Sequence, residues 1–325
     1  MSDRTLGIGC VSYDRVKPIE DGRVGIPGYH VDFRRMGPAA IHAAAFEKHA
    51  LSVAEVSTAG LALEIDAGRA GYVALPVYLS RAFRHGCIYV RGDSPFQTPQ
   101  ALSSARIGLA DFFGTSAIWQ RGMLQDEYGV DLRRASWVIG PVEDPKGPAK
   151  MPPDHVSAAF RIERAAAGTT LVEMMQRGDL DAMLVLRTPR AVRERHPAIV
   201  RLFPDYEAEE RAYWRRTRCF PIMHIAVLRR AEITADPALP RLVQDAFEAA
   251  KGIALTELAE TAYYFASLPW LAGAVEATQA TMGRDWWRYG REEGAAQLAT
   301  FLRYCHEQTL TRRLIGADEF LPDLG

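Results

Sequence analysis

The chain has no long hydrophobic run and no surplus of charge of either sign. Its 325 residues hold 39 Lys and Arg against 40 Asp and Glu, a formal net charge of −1. That balance leaves no electrostatic footprint for nucleic acid, and no basic stripe is interleaved with aromatics. No stretch reaches the roughly 18 to 20 apolar residues that a membrane helix requires. Neither nucleic acid nor membrane is expected as a partner. The amino terminus carries acidic Asp3 where a secretory leader is basic, and no apolar run precedes Asp14, so the expected location is cytoplasmic. Cysteine is scarce. Cys10, Cys87, Cys219 and Cys305 lie far apart, fit no CxxC pattern, and read as small buried residues in a reducing compartment, with no structural metal expected. Internal repeats and low-complexity segments are also missing.

What is there is ordinary for a globular protein, 48% hydrophobic and 24% charged, in a chain long enough for two lobes. The apolar residues come in alternating periods. Thr5 to Ser12 reads as a buried strand, Tyr29 to Met36 as a strand with alternating faces, and Pro38 to His49 as an Ala-rich helix with proline in its first turn. Leu51 to Ser57 is the next strand, ending where Ser57 and Thr58 can cap a helix. This β/α alternation predicts a largely parallel sheet. The same grammar restarts with Ala105 to Ala110 as strand, Gly114 to Gly129 as helix and Arg134 to Gly140 as strand, which predicts a second lobe.

Between Gly140 and Ala167 lies a loop-rich stretch with five prolines. Thr170 and Glu173 then form a capping box for a helix stopping at Gly178, followed by a strand at Leu180 to Leu186. Phe220 to Arg230 reads as another strand. From Leu239 the pattern turns to amphipathic helices, in the last of which Leu298, Phe301, Leu302 and Cys305 share a face.

The segment from Pro76 to Leu102 places Arg81, Arg84 and His85 directly before the apolar run Gly86 to Val90. Positive charge beside a buried strand is costly unless an anion meets it there.

Seven separated motifs, "SRAFRHGCIYV", "WQRGMLQDEYGVD", "VRLFPDY", "FPIMHIAVLRR", "SLPWL", "GRDWWRYG" and "FLRYCHEQTLTRR", resemble in order and nearly end to end the 4,5-dihydroxyphthalate decarboxylase family. That family is similar in fold to the type II periplasmic solute-binding proteins. The resemblance implies two α/β lobes joined by two crossing strands with a ligand cleft between them, and a helical carboxyl-terminal region. Lobe I is expected to be 1–91 with 222–325, and lobe II 92–221. The chain departs from the family at "GYHVDF", which makes His30 a candidate for the ligand side, and at "LRTPRA".

In such a fold, ligands gather at the carboxyl ends of strands and at helix N-termini. That rule selects Ser12 to Arg15, Ser57 and Thr58, Arg81 to His85, Gly114 to Ser116, Arg187 and His224. Arg81 and Arg84 are read as a clamp for a dianion, because the guanidinium fork matches a carboxylate in two hydrogen bonds; a solvated surface cluster is the alternative. Gly114, Thr115 and Ser116 stand between strand and helix, where N–H groups and hydroxyls meet an anion or merely cap the helix. Ser12, Tyr13, Ser57, Thr58 and Arg187 complete the expected binding set.

His224 projects opposite to Met223 and Ile225, so it and His85 are the candidate proton donors, against the reading of hydrogen-bonded core histidines. Glu55, Tyr13 and Asp14 are secondary proton carriers. Trp286, Trp287 and Tyr289 read as packing for the carboxyl-terminal helices.

The resemblance implies a carboxy-lyase that converts an aromatic dicarboxylate, 4,5-dihydroxyphthalate, to 3,4-dihydroxybenzoate and CO2 in aromatic catabolism. A hydroxyl para to each carboxylate serves as the electron sink, so no organic cofactor is required, and no metal-ligand set is visible. A non-catalytic binding or sensor protein for an aromatic acid, or a decarboxylase of a related hydroxybenzoate, remains the alternative.

Overall fold

A computed structural model of the chain describes residues 4–69 and 71–324. Asp3 of the amino-terminal reading lies outside them. The strands, in chain order, are β1 (Thr5–Cys10), β2 (His30–Arg35), β3 (Val53–Ser57), β4 (Tyr72–Ala74), β5 (Ser80–Arg81), β6 (Ile88–Arg91), β7 (Arg106–Leu109), β8 (Ser136–Ile139), β9 (Arg161–Arg164), β10 (Ala182–Leu184), β11 (Ile199–Arg201) and β12 (Ile222–Arg229). They form two sheets. The chain divides into two compact units, unit 1 being Met1–Arg81, Ile222–Ala299 and Ile315–Gly325, and unit 2 being Ala82–Pro221 and Thr300–Leu314. The first division falls at Arg81/Ala82, and unit 2 takes Thr300–Leu314, a segment that the resemblance assigned to lobe I.

Unit 1 holds a sheet of order β2-β1-β3-β12-β4, with β5 paired to β12. β1 is its centre of burial, with Leu6, Ile8 and Cys10 fully enclosed. At Gly9 a Cβ would stand 2.4 Å from Leu51 Cδ1, so the Leu51 side chain would have to move to admit one. β1 runs parallel to β2 and β3, but β12 runs antiparallel to β3, β4 and β5. The expected largely parallel sheet is thus mixed, because the chain enters β12 at the same edge where β1 and β3 end. That reversal brings His224 opposite Ser57 on one side and Ser80 on the other.

β2 does not show alternating burial. It is an edge strand with no fully buried residue, so neither face is forced to be apolar. His30 pairs with Thr5 at the start of β1, which puts it at the amino edge, opposite the end where ligand residues were expected.

Unit 2 holds a sheet of order β11-β6-β10-β7-β8-β9. β10, β7, β8 and β9 are parallel, and β6 is antiparallel to β10 and β11. Tyr89, Val138, Leu171, Met175, Leu180 and Met183 form part of its core. The expected buried strand at Gly86 begins only at Ile88, after a helical turn at His85–Cys87. The proline-rich stretch expected to be loop contains β9, an exposed edge strand whose sequence has no buried face to betray it.

Local signals held where they were strongest. Thr170 and Glu173 make both bonds of the capping box, and the helix Thr115–Tyr128 ends on Gly129 at φ +68°. Leu298, Phe301, Leu302 and Cys305 are all buried. Among the described residues, no helix is long and apolar enough to cross a membrane.

Candidate functional site

Glu55 is the chemical centre of the unit 1 sheet edge. It lies in β3 among Val53, Ala54 and Val56, and its side chain is 1% exposed. Four donors converge on it. Oε1 accepts from His224 Nδ1 at 2.6 Å and from the Tyr13 hydroxyl at 2.8 Å. Oε2 accepts from the Val11 N–H at 2.9 Å and from the Cys10 thiol at 3.2 Å. Burial pushes the Glu55 carboxyl up, but the hydrogen bond and charge of His224, helped by Val11 and Tyr13, outweigh it and hold the pKa below the usual carboxylate value. Glu55 is therefore ionised at neutral pH and can only accept. It follows that His224 Nδ1 carries hydrogen and that Nε2 is the nitrogen free for chemistry. Burial pushes the Tyr13 phenol up, and the neighbouring Glu55 charge pushes it further, so this hydroxyl keeps its proton.

Beside this cluster, still within unit 1, stands a set of cations on aromatic faces. The Arg15 guanidinium lies 4.1 Å from the Tyr13 ring centroid and 3.9 Å from that of Trp287. Its Nε and Nη2 donate to the Leu79 carbonyl, the former at 2.9 Å. Trp287 Nε1 donates to the Tyr78 carbonyl at 2.8 Å, tying the carboxyl-terminal segment to the chain that leads into β5. Arg81 is buried, with its guanidinium 4.7 Å from the Tyr78 ring. Arg15 Nη1 also lies 3.1 Å from Asp14 Oδ1, and the aromatic stacking holds both guanidinium groups in place.

The other unit 1 candidates are committed to the protein. Ser57 caps the helix Thr58–Asp66 by accepting from Gly60 N, and Thr58 donates to the carbonyls of Ile222 and Met223. Ser12 donates to Glu20.

In unit 2, His85 is fully buried, with Tyr128, Phe203 and Tyr213 presenting rings 5.3 to 6.2 Å away. Burial pulls its pKa down to about 4, so it is neutral at pH 7, and its 3.9 Å approach to Glu210 is not an ion pair there. Glu210 is itself pushed up to about 7 by burial, against the N–H groups of Gly86 and His85 and the charge of Arg84. Arg84 Nε is enclosed with no hydrogen-bond partner among the described residues.

The helix Thr115–Tyr128 begins at Gly114 without a side-chain cap, and the Ser116 hydroxyl is enclosed and unbonded among the described residues. Asp111 already accepts from Phe113 N just ahead of that helix, so one carboxylate occupies the approach. Arg187 is exposed after β10. At the opposite edge of this sheet, a groove of about 360 Å³ is lined by Arg91, Asp93, Met175 and Pro197, with Arg91 and Asp93 paired. Among the described residues, no group of three or more His, Cys, Asp and Glu side chains is placed to hold a metal ion.

The structure thus brings Tyr13, His224 and Arg81 to one edge within unit 1, and places Arg84, His85, Gly114, Thr115, Ser116 and Arg187 in unit 2. In the sequence Glu55 reads only as a secondary proton carrier, although a carboxylate inside an apolar strand is its signal. Arg15 stands out there only as the end of the run from Ser12, and Trp287 reads as packing.

No known protein-family profile matches the chain. It is 34% identical to the 4,5-dihydroxyphthalate decarboxylase of Comamonas testosteroni, over 99% of this chain and 98% of that one. It is 31% identical to the protein of the same name from Pseudomonas putida, over 66% of this chain and 83% of that one. Among solved structures it is similar to the periplasmic aliphatic sulphonate binding protein SsuA of Escherichia coli, with a TM-score of 0.54 and 14% identity over 98% of each chain. The alkanesulfonate-binding SsuA of Xanthomonas axonopodis pv. citri gives a TM-score of 0.52 and 11% identity over 99% of each chain. The fold is therefore type II periplasmic-binding-protein-like.

Proposed function

Because the chain belongs to the 4,5-dihydroxyphthalate decarboxylase family, we propose that it removes one carboxyl group of 4,5-dihydroxyphthalate as CO2 and releases 3,4-dihydroxybenzoate. We assign the proton transfer to His224, oriented by Glu55. The observation that carries this assignment is the 2.6 Å contact between His224 Nδ1 and a buried, ionised Glu55, beside two arginines held on aromatic faces.

An aryl carboxylate resists decarboxylation because the electron pair of the breaking C–C bond lies in the ring plane with nowhere to go. A para hydroxyl removes that obstacle. Ionising it and protonating the carboxyl-bearing carbon gives a cyclohexadienone; the C–C bond then breaks, CO2 leaves, and the electron pair restores the aromatic ring. The protein must hold the carboxylate that stays and deliver one proton to carbon. His224 Nε2 supplies the proton, and the Glu55 charge compensates the ring whenever it carries its second proton. Arg15 and Arg81 supply the positive charge for the carboxylates, and Tyr13 joins the two groups by bonding Glu55 while stacking on Arg15.

Purified protein incubated with 4,5-dihydroxyphthalate should release CO2. In D2O, one deuterium should appear on the ring carbon that lost its carboxyl. Binding without CO2 release would instead support a sensor or receptor of the same fold.

A further inference from the structure

We propose that Tyr289 is a substrate-binding residue whose hydroxyl donates to the carboxylate that remains on the ring, completing the anion pocket of Arg15 and Arg81. This inference rests on the reading just given.

Tyr289 lies in unit 1, just before the helix Arg291–Glu307, and is 8% exposed. Its hydroxyl is enclosed and has no hydrogen-bond partner among the described residues. Phenols buried to this degree ordinarily find one, because an unanswered hydroxyl bears its full desolvation cost. Everything around it is well anchored. The Tyr78 hydroxyl donates to Gly290 O at 2.8 Å, Gly290 N donates to Pro76 O at 2.8 Å, and Trp287 Nε1 donates to Tyr78 O. Gly290 sits at φ +112°, a conformation that favours glycine, and this turn fixes the Tyr289 ring edge-on to Tyr78 at 6.4 Å. Lys251 lies 4.9 Å from the ring centroid, but its ammonium is taken by Glu248 and Asp285.

The chemistry that would answer the hydroxyl follows from its surroundings. Burial raises the phenol's pKa, so it remains a donor and needs an acceptor. Two guanidinium groups stand near the phenol, Arg15 on the Trp287 ring two residues before it and Arg81 on the Tyr78 ring that meets Tyr289 edge-on, while the opposing Glu248 is held by Lys251, so an anionic acceptor is the favoured one. Their stacking partners Tyr13, Trp287 and Tyr78 supply flat apolar faces. A planar benzene carrying two carboxylates suits that combination better than an aliphatic or monoanionic acid does.

The test is Tyr289→Phe, which deletes one oxygen and keeps the ring. Loss of a hydrogen bond to a carboxylate should weaken phthalate binding, followed by calorimetry, by about ten- to hundred-fold, and raise KM for 4,5-dihydroxyphthalate similarly. kcat should change by less than about threefold, since the interaction exists in ground and transition states alike. The melting temperature of the ligand-free variant should stay level or rise, because an unsatisfied hydroxyl has been removed. Phthalate Kd and KM within about twofold of wild type would overturn the inference, as would a lower melting temperature with unchanged KM, which would make the hydroxyl a structural one. If wild type binds phthalate more tightly than the variant yet releases no CO2 from 4,5-dihydroxyphthalate, the inference stands and the proposed reaction falls.

Discussion

Glu55 occupies a strand position that packing alone would give to valine or isoleucine, and it is kept ionised there by four donors. A buried carboxylate so thoroughly bonded holds its neighbours in one arrangement, which is what a proton-transfer residue needs. His224→Gln should lower kcat by about 10²- to 10⁴-fold with little change in KM, measured by steady-state CO2 release. A variant within about threefold of wild type would move the proton donor to Tyr13. Glu55→Gln should lose activity comparably, since its amide would turn donors toward Tyr13, Val11 or His224. His85 presents the opposite case. Boxed by three aromatic rings and held near pKa 4, it is poorly placed to carry a proton at neutral pH. His85→Gln should lower the melting temperature while leaving kcat within about threefold.

At the scale of elements, the helix Tyr206–Thr217 carries Glu210 against the turn His85–Cys87, with Arg84 and Glu207 the other charges facing it. Its folded pKa of about 7 lies above the ordinary carboxylate value, so between the two the native state holds a proton that the unfolded chain has released. This stabilisation is complete at acid pH and is lost as pH rises through 7. Glu210→Gln should accordingly change stability little at pH 5 and raise it at pH 8, by a difference of about 2 to 3 kcal/mol that appears as a higher melting temperature at pH 8 only. Melting curves at both pH values check the sign; an equal shift at both would refute the linkage. Close approach matters at Gly294, whose added Cβ would fall 1.7 Å from the Tyr78 hydroxyl. Gly294→Ala should cost about 1 to 3 kcal/mol in stability and also raise KM, because Tyr78 supports Arg81.

For the whole molecule, a fold shared with sulphonate-binding proteins leaves catalysis to the side chains at its strand ends. Phthalate has both carboxylates and neither hydroxyl. It should bind competitively and release no CO2, because the electron sink is missing while the cationic pocket is satisfied. CO2 release from phthalate at a rate comparable to that from 4,5-dihydroxyphthalate would refute the ring-protonation mechanism, and failure of phthalate to compete would refute the pocket.

Much of this architecture was legible in the chain because it is encoded locally. Apolar periods marked β1, β3, β7, β8, β10 and β12, the Thr170–Glu173 box and Gly129 marked helix ends, and dispersed motifs marked the family. Each of those signals lies within a few turns or one strand, where burial and capping act on neighbouring residues. Edge strands such as β2 and β9 escaped, since a strand with no buried face imposes no period. The membership of the site belonged to tertiary structure. His224 meets Glu55 across 169 residues of sequence, Arg15 meets the Leu79 carbonyl across 64, and neither pairing has a local signature. The first depends on β12 running antiparallel to β3 and β5, which sets His224 opposite Ser57 and Ser80. The same folding sent Arg81 to one unit and Arg84 and His85 to the other, dividing a cluster that in sequence spans five residues, because the unit boundary falls between them.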